Sequence, residues 1–517
     1  MTADTSPSAD QPSDAETRGI HEAARRDKIK RLQELGVDVW GQRFDDHASV
    51  ETLRGRANEI TTTPPDPANP KGQAEHHGPR VRAAGRVVLR RDTGKLVFIN
   101  LQDWSGQIQL FVGRKQVGED NWKVVECLDL GDIIGVDGEL KYTKTGELTI
   151  FAEKITFLTK SIEAHPEKHH GLTDTEMRQR MRYLDLIHNE GVLPRFLKRT
   201  KIVQSIRKTL GDRNFVEIEG PTLHAIAGGA AARPFTTHHN TLDMPLFLRI
   251  ALELHLKRLM VGGIERVYEL GRVYRNEGIS PRHNPEFTML EVYQAYGDYR
   301  SMMDLTEAVI VDAIKASGQD LKLPWGEGAD AVTIDFTPPF ERVTYDEAFE
   351  KHTGVAASDA ERILKLAREI GFETANKHPD IIKSEVFEER VEDQMRGPVF
   401  LIDYPASICP LTKRKTSNPA VAERFELFIE GMEVANAYTE LNDPDLQEQL
   451  FLTQLAGQKE DDSMAKMDHD FIRALRYGMP PAGGLGIGID RLVMLLTNSQ
   501  TIRDVILFPL LRHEVVK

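Results

Sequence analysis

Residues 267–299 read VYELGRVYRNEGISPRHNPEFTMLEVYQAYGDY. Arg275 and Glu277 stand two residues apart on what reads as the end of one strand. A polar loop with His283, Asn284 and Glu286 follows, and a second strand carries Phe287, Glu291 and Tyr293. Alternate side chains of a strand share a face. Arg275 and Glu277 are therefore expected on one face, and Phe287, Glu291 and Tyr293 on one face. A protein core buries this many charges only when they meet a charged ligand. The stretch predicts a pair of strands carrying a site for a substrate that bears both phosphate and amine.

Outward from this pair, residues 193–213 read as a long amphipathic helix, and 301–318 and 358–371 as further helices. Residues 319–400 read as an inserted helical subdomain, 400–441 as strands, 446–477 as mainly helical, and GGLGIGIDRLVMLL (483–496) as a Gly-rich strand entering a helix. Strands and helices in blocks, without regular βαβ alternation, predict an α+β domain on a mostly antiparallel sheet over 193–517. A helical linker (166–192) precedes it. Residues 80–165 differ in kind. Their five short strands separated by turns predict a small all-β barrel of the oligonucleotide-binding (OB) type. Before the barrel, residues 20–79 comprise a charged helix (20–36) stopping at Gly36 and a Pro-rich linker (61–79). Residues 1–19 read as a disordered polar tail.

The chain has 517 residues and a net charge of −14. That balance argues against a DNA-coating protein, whose affinity needs a broad basic surface. Local basic clusters, Arg25–Arg31 and Lys413–Lys415, remain candidate RNA faces. No run approaches the ~18 apolar residues of a membrane span, and no secretory leader is readable at the N-terminus. Cys127 and Cys409 are far apart, giving neither zinc spacing nor a disulfide framework. This favours the cytoplasm.

Three groups of residues could carry chemistry. For phosphate there are Arg275, Arg491 and the glycines 484, 486 and 488; the arginine fork matches phosphate oxygens. Glycine-rich strand–helix packing is an equally common reason for such a run, and neither GxxxxGK[ST] nor GxGxxG is present. For metal there are Glu426 and Glu433. A tight turn at Glu430-Gly431 would pair Phe428 with Glu433 and put both carboxylates diagonally on one face. Two glutamates decorating a hairpin is the plainer explanation. Simple alternation also sends Asn436, Tyr438 and Glu440 to the other face, so a bulge near Val434–Ala435 is required to unite them. For an amine there are Glu253, Glu291 and Glu440, with Tyr293 and Tyr438 as aromatic walls for an alkyl chain. Any one of these glutamates alone would read as an ordinary ion pair. GxSxG and HExxH are absent, and the adjacent pairs His169-His170 and His238-His239 read as surface or packing residues.

At these residues the chain resembles the class II lysyl-tRNA synthetases, from about residue 20 to the C-terminus. GGAAARPFTTHHNTLDMPLFLRIALELHLKRLMVGG (228–263) resembles the segment before their motif 2, RVYRNEGISPRHNPEFTMLEVYQAY (272–296) motif 2, FELFIEGMEVANAYTELNDP (425–444) the metal and lysine segment, and GGLGIGIDRLVMLLTNSQTIRDVILFP (483–509) motif 3. The resemblance implies a lysine–tRNA ligase using ATP, L-lysine and tRNA(Lys), with Mg²⁺. Gly229 and Glu253 would hold the lysine α-amino group. Glu440 and Tyr293, with Glu291 and Tyr438 near, would hold its ε-ammonium, and Asn436 and Arg275 its carboxylate. Arg275 would also bind the ATP α-phosphate, Glu277 the adenine amine, and Phe287 the adenine face. His283 and Asn284 would lie near ATP, with Arg491 over adenine or the γ-phosphate, and Glu426 and Glu433 would carry Mg²⁺. On the barrel, Phe98 would stack an anticodon base while Gln109 and Glu147 read base edges. Residues 193–223 resemble motif 1, implying a homodimer. Leu252 departs from the usual proline before the pocket glutamate, His255 from the usual tyrosine, and Ala227 from another proline. Two alternatives are a synthetase-like ligase acting on a protein, whose members lack the N-terminal barrel, and a non-catalytic RNA-binding paralogue, which would be expected to lose Arg275, Glu291 or Arg491.

Overall fold

Five strands close a barrel: β1 (Arg80–Asp92), β2 (Leu96–Asp103), β3 (Gly106–Gly113), β4 (Ile133–Tyr142) and β5 (Leu148–Thr159), in the order β1-β2-β3-β5-β4. Every contact is antiparallel except β3 with β5, which pair in parallel to complete the closure. Alternation explains the barrel. Val97, Ile99 and Leu101 of β2, and Ile108, Leu110 and Val112 of β3, are buried, so each strand has one face inside. The OB-type barrel expected from the strand pattern is the one observed.

The computed structural model describes residues 14–64, 75–165, 172–230, 232–456 and 467–512. Residues 1–13 of the expected tail, 65–74 of the expected linker, and His169-His170 lie outside the described residues. The first helix spans Asp14–Glu34, so it begins within the stretch read as tail. The chain divides into two compact units, Met1–Thr173 and Asp174–Lys517.

The second unit is built on an eight-stranded sheet. Its elements in chain order are α1 (Val192–Gly211), β6 (Val216–Glu217), α2 (Glu253–Val261), β7 (Arg266–Tyr274), β8 (Glu286–Ala295), α3 (Tyr299–Ala316), β9 (Glu341–Thr344), β10 (Val399–Pro405), β11 (Val421–Ile429), β12 (Met432–Thr439), β13 (Ala482–Gly488) and α4 (Ile489–Leu496). The sheet order is β9-β10-β11-β12-β13-β8-β7-β6, antiparallel except at its two ends, β9–β10 and β6–β7. α1, α3 and α4 contribute Ile206, Val309, Ile310 and Val493 to a core shared with inward residues of β8, β11, β12 and β13. A capping box between Asp298 and Ser301 starts α3 immediately after β8. The mixed α+β class with an antiparallel sheet agrees with the block pattern of the sequence.

Two details differ from the sequence expectations. β7 ends at Tyr274, so Arg275 and Glu277 sit in the loop beyond it rather than on the strand. The Arg275 N–H still bonds the Pro285 carbonyl at 2.8 Å, and the Glu277 N–H turns back to the Arg275 carbonyl at 2.9 Å, which bends the chain out of the ladder. Between 319 and 400 the helices are confined to Tyr345–Thr353, Ala360–Ile370 and Pro379–Arg390. Strands Lys322–Trp325 and Val332–Asp335 precede them as a hairpin, and β9 joins the main sheet.

Candidate active site

The Glu430-Gly431 turn has positive φ at both residues, 49° and 65°, as a two-residue I′ hairpin requires. Phe428 pairs with Glu433, whereas Leu427 pairs with Ala435. Val434 is thus the extra residue of a bulge, at the place where one is needed to bring Glu433 to the face of Asn436 and Tyr438. Two rows then cross the sheet: Glu291 (β8), Gly486 (β13), Asn436 (β12) and Glu426 (β11) in register, and Tyr293, Gly484, Tyr438 and Arg424 beside them. Apart from Glu426, these rows floor a cavity of about 480 Å³.

Gly229, Glu253, Arg275, Glu277, His283, Asn284, Phe287, Glu291, Tyr293, Glu433, Asn436, Tyr438, Glu440 and Arg491 all line it. The structure brings these expected residues together, and their roles remain assignments of the resemblance. Glu426 is the exception, because it does not line the cavity. Its carboxylate is ion-paired to Arg424 and accepts the Tyr404 hydroxyl at 2.7 Å, which turns it behind the wall.

One end of the cavity is acidic. Glu253, Glu291 and Glu440 are all buried. Glu440 lies just past β12, where its N–H bonds the Ala482 carbonyl at 2.8 Å. The Tyr438 hydroxyl donates to Glu253 (3.2 Å) and the Tyr293 hydroxyl to Glu291 (3.3 Å). The Leu252 N–H donates to Glu291 Oε1 at 3.0 Å, a bond a proline at this position could not make. The departure at Leu252 therefore ties the pocket glutamate of the sheet to the start of α2. Burial, reinforced by Glu253, pushes the Glu291 carboxyl up to about 7. Burial pushes Glu440 up to about 8, against the opposing pull of the Lys257 ammonium. His255 packs its ring 4.7 Å from His224, where burial holds the latter down to about 4 and so uncharged at neutral pH.

The glycines are not equivalent. A Cβ on Gly484 would stand 1.8 Å from Glu440 Oε1 and 2.7 Å from Tyr293 Cε1. The nearest neighbour of one on Gly486 would be 3.8 Å away, and on Gly488 3.7 Å. Of the three, Gly484 alone is required by a close approach.

The other end is basic and aromatic. The Arg275 guanidinium lies 5.3 Å from the Phe287 ring centroid. Arg491, in the first turn of α4, bonds the Glu433 carbonyl at 2.7 Å and His283 Nε2 at 2.9 Å. Burial and the neighbouring Arg491 lower the His283 pKa, so its ring is neutral and available as an acceptor. Buried Asp490 accepts from Arg199 (2.6 Å) and the Thr288 N–H (2.6 Å), which fixes the start of α4 against β8. Asn284 Oδ1 is buried without a partner at the cavity wall.

Two cavity-side residues escaped the sequence reading. Lys257 sits in a basic-looking run, and the signal that would have found it is its position four residues after Glu253 on one helix. Arg424, whose guanidinium bonds Asn436 Oδ1 at 3.2 Å, shares a strand face with Glu426 two residues on.

On the barrel, Phe98, Phe111 and Phe151 form a half-buried strip in register across β2, β3 and β5. Phe98 meets Phe111 edge-on at 5.5 Å, and Phe111 stacks on Phe151 at 4.6 Å. Gln109 and Glu147 line one open cleft with Arg54, Arg91 and Asn100, residues the sequence reading does not single out. Asn100 follows Phe98 at i+2, so the strip and the cleft share a face.

Residues 174–512 match the family described as tRNA synthetases class II (D, K and N), and residues 81–158 match the OB-fold nucleic acid binding domain. The lysine–tRNA ligase of Staphylococcus saprophyticus is 47% identical over 95% of this chain and 98% of its own length. That of Thermoanaerobacter pseudethanolicus is 48% identical over 94% and 95%. That of Moorella thermoacetica is 48% identical over 95% and 97%.

Proposed function

We propose that this chain, which belongs to the class II tRNA synthetases of the D, K and N group, is a lysine–tRNA ligase: it activates L-lysine with ATP to lysyl-adenylate and transfers the lysyl group to the 3′ end of tRNA(Lys). The observation that carries the choice of lysine is the convergence of Glu253, Glu291 and Glu440 at the buried end of a cavity whose other end holds Arg275 and Arg491.

The lysine ε-ammonium sits between Glu440 and Glu291 with its methylenes between Tyr293 and Tyr438, and the α-amino group lies by Glu253 and Gly229. Asn436 and Arg275 orient the carboxylate, whose oxygen attacks the α-phosphorus in line and expels pyrophosphate. No protein nucleophile takes part; positioning and the stabilisation of phosphoryl charge by Arg275 and Arg491 do the work. Phe287 backs the adenine and Glu277 accepts its amine. The tRNA terminal hydroxyl then attacks the adenylate carbonyl and expels AMP. An amino acid without the ε-amine leaves buried carboxylates unpaired, which explains selection.

Glu433, which lines the cavity, offers a divalent cation an oxygen donor, whereas Glu426 would join it only by leaving Arg424 and Tyr404. Burial and Glu426 raise the Glu433 carboxyl, and burial followed by repulsion from Glu426 raises Glu392 to about 8, marking negative charge that a cation would relieve. No group of three or more acidic, His or Cys side chains arranged for a metal occurs among the described residues. Mg²⁺ held by one or two carboxylates and completed by substrate phosphates needs none. Bound with ATP, Mg²⁺ supplies neutralisation of the polyphosphate.

The aromatic strip at Phe98 and the Gln109–Glu147 cleft suit unstacked anticodon bases. The working unit is a cytoplasmic homodimer, a reading supported by exposed Val216 and Leu223 within the motif 1 segment and by two unpaired buried cysteines. No described helix is long and apolar enough to cross a membrane. ATP–pyrophosphate exchange across the amino acids tests the function: exchange is expected with lysine, and exchange with aspartate or asparagine instead would overturn it. Light scattering tests the dimer.

A further inference from the structure

Lys257 is fully buried beneath the acidic end of the cavity, on the helix that carries Glu253. Its Nζ is 2.5 Å from Glu253 and 2.5 Å from Glu440, and it lies 5.9 Å and 5.7 Å from the ring centroids of Tyr293 and Tyr438. The protein's own ammonium thus occupies the same kind of environment that the substrate ammonium is expected to meet: carboxylates at the end, aromatic rings at the sides.

We infer that Lys257 is a positioning and specificity-determining residue, a resident counter-cation that bridges the carboxylates for the two ends of the substrate and leaves the pocket two negative charges in excess, matching a substrate with two ammonium groups. This rests on the lysine-activating reading of the same site. The count is direct: Glu253, Glu291 and Glu440 carry three carboxylates, and Lys257 neutralises one. L-Lysine brings an α- and an ε-ammonium, so the filled pocket is balanced, while its carboxylate is left to Arg275 and Asn436. Uncompensated buried charge is strongly unfavourable, so a pocket one charge out of balance takes up protons instead of substrate.

The bridge also fixes distance. Glu253 starts α2 and Glu440 directly follows β12, elements from different parts of the fold, and Lys257 is the one cation with ion-pair contacts to both among the described residues. The titratable groups around it are Glu253 from α2, Tyr293 from β8, Tyr438 from β12 and Glu440 just past it, with Glu291 of β8 acting on Glu440. Arg275 and Arg424 are the neighbouring cations, acting on Glu291 and Tyr438 respectively. Glu253 and Glu440 hold the Lys257 ammonium protonated despite its burial. Glu291 at about 7 and Glu440 at about 8 are the groups that accept protons when no substrate ammonium is present.

The test is Lys257→Met in the full chain, with Km values for lysine and ATP read by pyrophosphate exchange from about pH 6.5 to 9.5. The expected result is a lysine Km raised at least ~10-fold at neutral pH, an ATP Km within ~2-fold, and a lysine Km profile displaced about one unit to alkaline pH. Lys257→Arg, which keeps the charge, is expected to keep the wild-type pH profile. Where the Met variant does not fold, Lys257→Gln serves, with the same displacement expected. An unchanged lysine Km and profile in the uncharged variant, or parallel loss of lysine and ATP binding, overturns the inference. Failure of the wild-type protein to exchange with lysine would overturn the reading of the site as well, so the two failures are distinguishable.

Discussion

Replacing Gly484 by alanine isolates one contact in the amine pocket. The backbone permits it, because Gly484 does not have positive φ. Space does not: the new Cβ would stand 1.8 Å from Glu440 Oε1 and 2.7 Å from Tyr293 Cε1. Restoring an ordinary contact of about 3.4 Å moves the Glu440 carboxylate by roughly 1.5 Å, beyond the tolerance of a hydrogen bond. A hydrogen bond to a charged group contributes about 1.5–3 kcal/mol. At about 1.4 kcal/mol per factor of ten, the lysine Km should rise about 10- to 150-fold. Arg275, Arg491 and Phe287 are untouched, so the ATP Km should stay within about twofold. Pyrophosphate exchange at varied lysine and varied ATP measures both. Since the variant acts by displacing Glu440, combining it with Glu440→Gln should be no worse than the weaker single variant, the non-additivity expected of one shared interaction. A wild-type lysine Km in Gly484→Ala, full additivity in the double variant, or an ATP Km rising in step would refute the reasoning.

Glu440→Ala should abolish lysine-dependent exchange while ATP binding, followed by calorimetry, persists. Phe98→Ala should raise the Km for tRNA(Lys) about 5- to 150-fold, as loss of roughly 1–3 kcal/mol of base stacking implies, and spare adenylate formation. Burial raises Glu291 to about 7 and Glu440 to about 8, so both are largely protonated near pH 6 and ionised near pH 9. An ammonium binds the ionised forms, so the lysine Km should fall as pH rises across that window. Because these folded-state values lie above the ordinary carboxyl value, the same groups lower the stability of the free protein as pH climbs from about 4.5 through about 8. The gain in Tm on adding lysine should therefore grow with pH in thermal melts.

What was readable in the chain depended on how local the cause is. The barrel strands show because one face of each is apolar and turns separate them. The Glu430-Gly431 hairpin shows because its turn chemistry is local, and with it the need for a bulge, which falls at Val434. The end of β7 is misplaced because the alternation of Arg275 and Glu277 continues past the strand, and the turn of the Glu277 N–H back to the Arg275 carbonyl is what takes the chain out of the ladder. Glu253, Glu291 and Glu440 can be grouped in the sequence as a candidate amine set, but their convergence is not legible there, since helix and strands meet by tertiary packing. Glu426 was drawn to the cavity by strand parity, which gives the face but not the rotamer; Arg424 and Tyr404 hold its carboxylate back. Lys257 was passed over because a lysine in an amphipathic helix ordinarily faces water. Its burial comes from Glu440, 183 residues further along the chain.

The central claim is that this protein charges tRNA(Lys) with lysine. Purified full-length protein, ATP, Mg²⁺ and labelled lysine, incubated in parallel with tRNA(Lys), tRNA(Asp) and an unrelated protein, measures it most directly. Acid-precipitable, alkali-labile lysine is expected on tRNA(Lys) alone. Label on protein instead, label on tRNA(Asp), or no charging in the presence of lysine-dependent pyrophosphate exchange would contradict it.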